Sequence, residues 1–364
     1  MIEIQRIKLE GFKSIRAMDL ELRDLNILIG PNGSGKSNFL SFFSLLREMF
    51  AKGISTHVRK SGGANALVHF GLKHTQMIRI EIAFRCGTYG FGLLGTDDDG
   101  LVVADEASDV PDPEHRFKEG VQSGFSYEAR FPGYRNSQRE GSAAYELIQR
   151  SATWWLYHFH DTSPYAKARL TCETGHDAFL KSDGANLASF LHFLRRTRRE
   201  HYGSIVDAVR QVTPCFRDFW LEPEPANPRT IRLKWRDTGA EPDEIFGPQA
   251  LSDGTLRFAM LATLLLQPEP PSLILLDEPE LGLHPAAISL LAGMLRSAAT
   301  RTQIVACTQS VTLVNQFGPA DIVVVETQDN GSIFRRLASD EMAAWLDEYG
   351  MGDVWEKNLI GGRP

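Results

Sequence analysis

Cysteine is scarce: four residues in 364 (Cys86, Cys172, Cys215 and Cys307), far apart and with no CxxC pair. That excludes a disulfide framework and a zinc knuckle, and a reducing compartment is the expected setting. Positive charge is also in deficit. A net charge of −7 gives the whole chain no pull toward nucleic acid or acidic membranes, although a local basic patch stays open. No apolar run reaches the roughly 18 residues that a membrane span needs, and MIEIQRIKLEGF lacks a signal-peptide core, so no membrane partner and a cytoplasmic location are expected. Heptads and internal repeats are missing as well. What is left is 43% apolar and 23% charged residues, a globular composition long enough for one large or two modest domains.

Against this background one stretch stands out. Gly30-Pro31-Asn32-Gly33-Ser34-Gly35-Lys36-Ser37, followed by Asn38, fits the phosphate-loop pattern G-x-x-x-x-G-K-[ST]. The apolar run Leu25 to Ile29 before it reads as a buried strand, and Phe39 to Phe50 after it as a helix. Glycines there let backbone N–H groups turn inward around phosphate oxygens, and the helix start adds partial positive charge. Lys36 would bridge the β- and γ-phosphates, and Ser37 would hold Mg²⁺ through its hydroxyl. The pattern implies a nucleoside triphosphate ligand.

The rest of the chain reads in order. Residues 1–24 alternate as two strands around Gly11-Phe12-Lys13-Ser14-Ile15, which by itself is a hairpin connection. Lys52 to Ala66, rich in Gly, Ser and basic residues, is expected to be a mobile loop. Met77 to Phe84 alternates strictly, with Tyr89 to Leu94 as its hairpin partner. The acidic, proline-bearing stretch 96–142 reads as an inserted excursion, partly disordered or a small β extension, and its acidity as a solvated surface. Trp154 to Phe159 predicts a buried strand. Leu180 to Arg199 predicts a capping cluster (Ser182 to Asn186) and an amphipathic helix. Its terminal arginines, 195, 196, 198 and 199, fit either a nucleic-acid backbone or, the favoured reading, the helix C-terminal dipole and water. Ile231 to Trp235 reads as a short strand. From Leu251 onward a helix, the strand Leu273 to Leu276, the helix Pro285 to Arg296, the strand Gln303 to Ala306, the helix Val311 to Phe317 and the strand Ile322 to Val325 set the rhythm of a parallel sheet with crossover helices. Ser332 to Leu337 and Met342 to Tyr349 close the chain.

Leu273-Ile274-Leu275-Leu276-Asp277-Glu278 has the Walker B form: a buried strand delivering two carboxylates at its C-terminal end. Neighbours on a strand point opposite ways, so the two acids have separate tasks. Asp277 would join the Mg²⁺ shell, and Glu278, turned by Pro279, would polarise the attacking water. Upstream, Leu251-Ser252-Asp253-Gly254-Thr255 is a good helix cap on its own.

In combination these segments resemble the ABC-type ATPase head of the SMC and RecF proteins, and more narrowly the compact predicted-ATPase relatives of RecF and the OLD nucleases. The segments are FKSI (12–15), GPNGSGKSN (30–38), LSDGTLRF (251–258), LLDEPELGLHP (275–285) and TQIVACTQS (302–310). The resemblance implies an α/β P-loop NTPase fold with a mostly parallel sheet, an N-terminal antiparallel β subdomain and a helical lobe carrying the signature loop. It implies one head over 1–364: an N-terminal β and phosphate-loop part (1–95), the insertion (96–142), a helical lobe (143–250), and a signature, Walker B and switch lobe (251–364). It further implies that two heads trap two ATP molecules, with Ser252 and the Gly254 amide reaching the γ-phosphate of the partner head. Lys13 and Ser14 would touch the nucleotide's phosphates or base, and residues 280–284 would run along the dimer interface.

Three positions depart from the family pattern. Gln309 stands where the switch histidine is usual; it can donate to a phosphate or orient water but carries no charge, which implies slow turnover. The interface aspartate after Walker B is replaced in LGLHP, with His284 as the candidate substitute. No clear Q-loop glutamine is present, and His160 or Asp161 is the candidate for that role. Without coiled-coil arms or a C-terminal nuclease domain, the expectation is an ATP-dependent homodimer that engages DNA or a nuclease or toxin effector, in DNA repair or antiviral defence. The alternative is a regulatory ATP-binding module with little hydrolysis that assembles or restrains such an effector.

Overall fold

The computed structural model describes residues 3–52, 54–110, 146, 149–175, 179–241, 243–338 and 349–363. The chain forms two compact units. The first comprises Met1–Leu156, Pro271–Asp277 and Thr302–Pro364. Its central strand is β3 (Leu25–Ile29), buried at every position, as expected for a strand covered on both faces. Strand β14 (Gln303–Thr308) pairs parallel to it on one side and β15 (Ile322–Gln328) parallel on the other. Beyond β14 lies β13 (Leu273–Asp277), also parallel, then the edge strand β7 (Trp155–Tyr157); β16 (Gly331–Arg336) closes the far edge antiparallel to β15. The predicted parallel sheet is present.

A second sheet is fully antiparallel, in the order β2 (Ile15–Glu21), β1 (Ile4–Phe12), β4 (Met77–Phe84), β5 (Gly87–Gly95) and β6 (Leu101–Ser108). Its alternating sequence gives one buried and one solvated face, as in β4, where Ile78, Ile80 and Ile82 are buried and Arg79 and Glu81 exposed. Helix α1 (Lys36–Lys52) joins the two sheets in one core. Phe39, Phe42 and Phe43 are fully buried, with Phe43 and Phe50 edge-on to Trp154.

Several expectations need correction. The loop expected over Lys52 to Ala66 instead holds two short helices, α2 (Ile54–Lys60) and α3 (Ala64–Leu67). Ile54 and Val58 fall one helical turn apart and are buried, as are Ala64 and Leu67, so burial outweighs the Gly- and Ser-rich composition. The strand expected over Trp154 to Phe159 is limited to β7. The helix expected over Val311 to Phe317 is the short α8 (Val311–Val314), capped by the Ser310 hydroxyl. Within 96–142, residues 101–108 form β6 and 111–142 lie outside the described residues, as does most of Met342 to Tyr349. The unit's last described helix is α9 (Met351–Glu356).

The second unit comprises Tyr157–Pro270 and Glu278–Arg301. It contains α4 (Leu187–Thr197), α5 (Arg199–Val212), α6 (Asp253–Leu266) and α7 (Pro285–Ala299). Helix α6 is apolar nearly all round and buried from Thr255 to Leu265, the pattern of a helix with no water-facing side. Two small antiparallel sheets complete the unit: β8 (Cys172–Glu173), β11 (Asn227–Ile231) and β10 (Pro223–Glu224), and β9 (Phe216–Trp220) with β12 (Lys234–Asp237). The strand expected over Ile231 to Trp235 is thus split between β11 and β12. The arginine run straddles two helices rather than ending one, because the chain breaks at Arg198. Arg195 bonds Glu222 at 2.6 Å and the Leu221 carbonyl at 2.9 Å.

Candidate functional site

The phosphate loop turns between β3 and α1 on three positive-φ glycines: Gly30 (φ +153°), Gly33 (φ +78°) and Gly35 (φ +109°). A Cβ on Gly30 would sit 2.1 Å from the Val325 carbonyl oxygen, so no side chain fits there without moving β15. A Cβ on Gly33 would meet nothing within 4 Å, which leaves the outer rim of the loop open. The Lys36 ammonium is nearly buried and donates to the carbonyls of Gly30 (2.5 Å) and Pro31 (2.9 Å). Ser34 Oγ is buried within the loop, without a hydrogen-bond partner among the described residues. A buried hydroxyl in that condition costs free energy until an acceptor or donor reaches it. An oxyanion ligand would meet that need, so the loop fits a phosphate chain.

Neighbouring strands bring two further predicted residues, Asp277 and Gln309, to this loop. Ser37 Oγ lies 3.4 Å from Asp277 Oδ2 at the end of β13. A hydroxyl and a carboxylate are the hard oxygen donors that Mg²⁺ takes alongside phosphate oxygens and water, so this pair fits the ion. Gln309, just past β14, donates from Nε2 to Asn32 Oδ1 at 2.7 Å. Parallel pairing of β13, β14 and β3 puts all these groups at the C-terminal edge of the sheet, where ligands of open α/β sheets bind.

The FKSI turn also belongs to this cluster. Ser14 Oγ accepts from Asn38 Nδ2 and from Ser332 Oγ, both at 2.7 Å. Lys13, in left-handed conformation (φ +47°), donates from Nζ to Ser41 Oγ at 2.9 Å, and burial pushes its pKa down. Both residues therefore flank the first turns of α1.

Glu278 follows β13 with φ +43°, a conformation that is costly for a non-glycine residue. Its direction is set by this left-handed turn and by the Leu281 N–H bond to its carbonyl (3.2 Å) rather than by strand alternation. The loop ends at His284, whose Nδ1 accepts from the Ala286 N–H at 3.3 Å and caps α7.

In the second unit, Ser252 caps α6: its Oγ accepts the Thr255 N–H at 3.1 Å and lies 2.8 Å from Thr255 Oγ1, which in turn lies 2.8 Å from Thr213 Oγ1. A Cβ on Gly254 would come within 3.0 Å of the Gly282 carbonyl oxygen, so the two loops approach backbone to backbone. Two buried arginines hold this arrangement, and the motif reading did not single them out. Arg169 donates to the carbonyls of Thr162 (3.0 Å), Leu251 (3.1 Å) and Pro248 and to Asp253 Oδ1 (2.8 Å). Arg257 donates to the carbonyls of Phe159 and His160 (both 2.8 Å) and of Leu281. His160 thus takes part through its backbone, while the Asp161 carboxylate accepts from the Ser163 N–H at 3.1 Å. Backbone carbonyls leave no mark in a sequence; only two arginines among apolar neighbours hinted at these anchors.

Residues 2–119 match the model of an AAA ATPase domain. Residues 214–315 match that of an AAA domain described as a putative AbiEii toxin of a type IV toxin–antitoxin system. No curated protein matches the chain. Among solved structures, an Smc head bound to the C-winged helix domain of ScpA is similar over 93% of this chain and 99% of its own, with 14% identity and a TM-score of 0.63. The Smc head of Pyrococcus furiosus, with an extended coiled coil and bound to the C-terminal domain of ScpA, is similar over 96% and 99%, with 14% identity and a TM-score of 0.60. That of Pyrococcus yayanosii, with a coiled coil and joint, gives 96%, 99%, 11% and 0.52. These likenesses establish the fold, a P-loop NTPase head of the ABC type. Among the described residues no helix is long and apolar enough to cross a membrane.

Proposed function

We propose that this chain is an ATP-hydrolysing head of the SMC/RecF-like group that dimerises around two ATP molecules and so engages DNA or an effector protein, a reading supported by the two ATPase-domain matches and by the fold. The observation that carries this reading is the complete phosphate loop with Ser37 and Asp277 converging beside it. Backbone amides of Gly33 to Ser37 and the start of α1 would hold the phosphates, and Lys36 would move from its loop carbonyls to the β- and γ-oxygens. Ser37 and Asp277 would hold Mg²⁺, which supplies charge neutralisation on the phosphates. Glu278 would orient the attacking water and take its proton, and Gln309 would donate to the γ-phosphate from the far side. Ser252 and the Gly254 amide would complete the site from the second copy.

The second reading, a regulatory module in which ATP sets an assembly state and a separate nuclease or toxin acts, is favoured by one observation. Gln309 carries no charge to stabilise the transition state, and its amide is engaged by Asn32. Molecular mass in solution with and without Mg-ATP, using Glu278→Gln to hold the bound state, tests the first proposal. A monomer that becomes a dimer only with ATP, and fails to do so as Ser252→Arg, is the expected result. A mass indifferent to ATP would refute the shared-site mechanism. If ATP drives association but the unmodified chain does not hydrolyse it, the regulatory reading stands.

A further inference from the structure

Residues 350–362 return to the phosphate loop from the far side of the switch segment. Helix α9 packs against α8, the helix that follows Gln309. The Gly352 N–H donates to Asn315 Oδ1 (2.7 Å), and a Cβ on Gly352 would overlap the Val311 carbonyl oxygen. Met351, Val354 and Trp355 are buried on the helix's inner side. Past α9 the chain turns through Gly361 (φ +76°) and Gly362 (φ +61°), left-handed backbone that favours glycine. Three bonds fasten this turn. Arg335 Nη2 donates to the Ile360 carbonyl (2.6 Å), the Gly362 N–H to Glu326 Oε1 (2.7 Å), and Trp355 Nε1 to the Gly362 carbonyl. The turn lies against the first residue of the phosphate loop. A Cβ on Gly362 would sit 3.6 Å from Gly30 Cα and 3.6 Å from the Val325 carbonyl oxygen, the atom that leaves no room for a side chain on Gly30.

These contacts close a ring. From Gly30 it runs through Asn32 to Gln309, then through the Ser310-capped α8 to Asn315, Gly352, α9, Trp355 and Gly362, and back to Gly30. The Gly30 carbonyl also accepts the Lys36 ammonium, so its orientation sets where that cation rests. We propose that Trp355 and Gly362 are positioning residues of the phosphate loop: the turn they form braces Gly30, and with it the backbone amides that receive the phosphates. The proposal rests on the phosphate-loop reading above and extends it to a segment with no phosphate-binding pattern of its own. A loop already held in its binding conformation loses less entropy when a ligand arrives, so the turn raises affinity for the phosphate chain whatever base it carries. Linkage makes the effect mutual, and phosphates seated in the loop stabilise the turn by the same factor.

The test compares ATP with inorganic tripolyphosphate, which has the phosphates but no base. Calorimetric titration of both, with Mg²⁺, would be run on the unmodified chain, Trp355→Phe and Gly362→Ala, well below their melting temperatures. Trp355→Phe keeps an aromatic ring in the buried place and removes the donor to the Gly362 carbonyl. Gly362→Ala brings a methyl group 2.6 Å from Val324 Cγ1 at a left-handed position; should it fail to fold, Trp355→Phe carries the test. Coupling between sites is worth about a five- to 150-fold change in affinity, so each variant should weaken both ligands alike, at least about fivefold. Ile80→Val trims a buried side chain of β4 away from this turn, and it should leave both affinities within about twofold. In the unmodified chain, hydrogen exchange of peptides covering 350–362 should slow when either ligand is present. Unchanged affinities in Trp355→Phe, a loss confined to ATP, an equal loss in Ile80→Val, or exchange indifferent to both ligands would overturn the positioning role while leaving the phosphate loop intact. Failure of the unmodified chain to bind either ligand would overturn both readings.

Discussion

Arg257 is the most exacting place to test how the second unit is held together. Its guanidinium is buried, with burial lowering its pKa, and three N–H groups reach the carbonyls of Phe159, His160 and Leu281. Arg257→Met keeps most of the side-chain volume and removes all three donors. The Phe159 carbonyl is then left buried, costing about 1–3 kcal/mol; the other two are partly accessible and regain water, costing about 0.5–1.5 kcal/mol each. The loss of guanidinium desolvation offsets part of this, so about 2–4 kcal/mol is expected. With a urea slope of about 2–3 kcal/mol/M, the midpoint should fall by about 1 M. The two units need not melt together, so hydrogen exchange of peptides covering 157–162 and 278–284 gives the local readout: both should exchange faster, and the 302–308 strand should not. Arg257→Lys should recover only part, since one ammonium cannot span three carbonyls in fixed geometry. A midpoint shift below about 0.3 M with unchanged exchange would show that these bonds do not secure the loops.

Gly30→Ala should reduce ATP affinity at least about tenfold, because its methyl group overlaps the Val325 carbonyl; Gly33→Ala, with open space around the methyl, should lose clearly less affinity, its positive φ costing the folded loop about 1–2 kcal/mol. Equal losses in a binding titration would mean that the overlap is relieved cheaply. Glu278→Gln should lower the hydrolysis rate by about 10²–10⁴ while ATP binding persists, measured by phosphate release and titration. Gln309→His should change the turnover rate; no change at all would refute the explanation of slow hydrolysis through this residue. The Glu3 carboxyl faces Asp24, a like charge with which it can share a proton, and this together with partial burial raises its pKa in the folded chain. Raised carboxylate affinity for a proton means that ionised Glu3 costs stability above its folded pKa. Glu3→Gln should therefore raise the melting temperature near pH 7, and the advantage should disappear as the pH falls through the carboxylate range.

The parts of the site that were legible in the sequence are those whose chemistry demands a fixed local pattern. Gly30 to Ser37, Asp277 and the Ser252 cap each need particular residues at particular spacings, and the apolar runs before Gly30 and Asp277 read directly as β3 and β13. What could not be read depends on partners far along the chain. Arg169 and Arg257 bond mainly to carbonyls, which every residue has. Thr213 meets Thr255 only through the packing of α5 and α6. The helices α2 and α3 were hidden because a few buried apolar positions, Ile54, Val58, Ala64 and Leu67, decide the structure of a segment whose overall composition favours loop. Glu278 lies one residue past the end of β13 in a left-handed turn, so strand alternation does not extend to it.

The pairing of β3 has a consequence for how the protein is made. This strand leaves the ribosome well before both of its neighbours, β14 and β15, which are translated after residue 302. At about 5–20 residues per second, the apolar segment Leu25–Ile29 waits on the order of 15–60 s with both edges unpaired. During that interval the hairpin of β1 and β2 and the helix α1 can form from local contacts, whereas the sheet holding the phosphate loop cannot. A nascent chain arrested before Thr308 thus carries the whole glycine-rich motif but exposes a sticky strand on both sides, and it should depend on chaperones or aggregate.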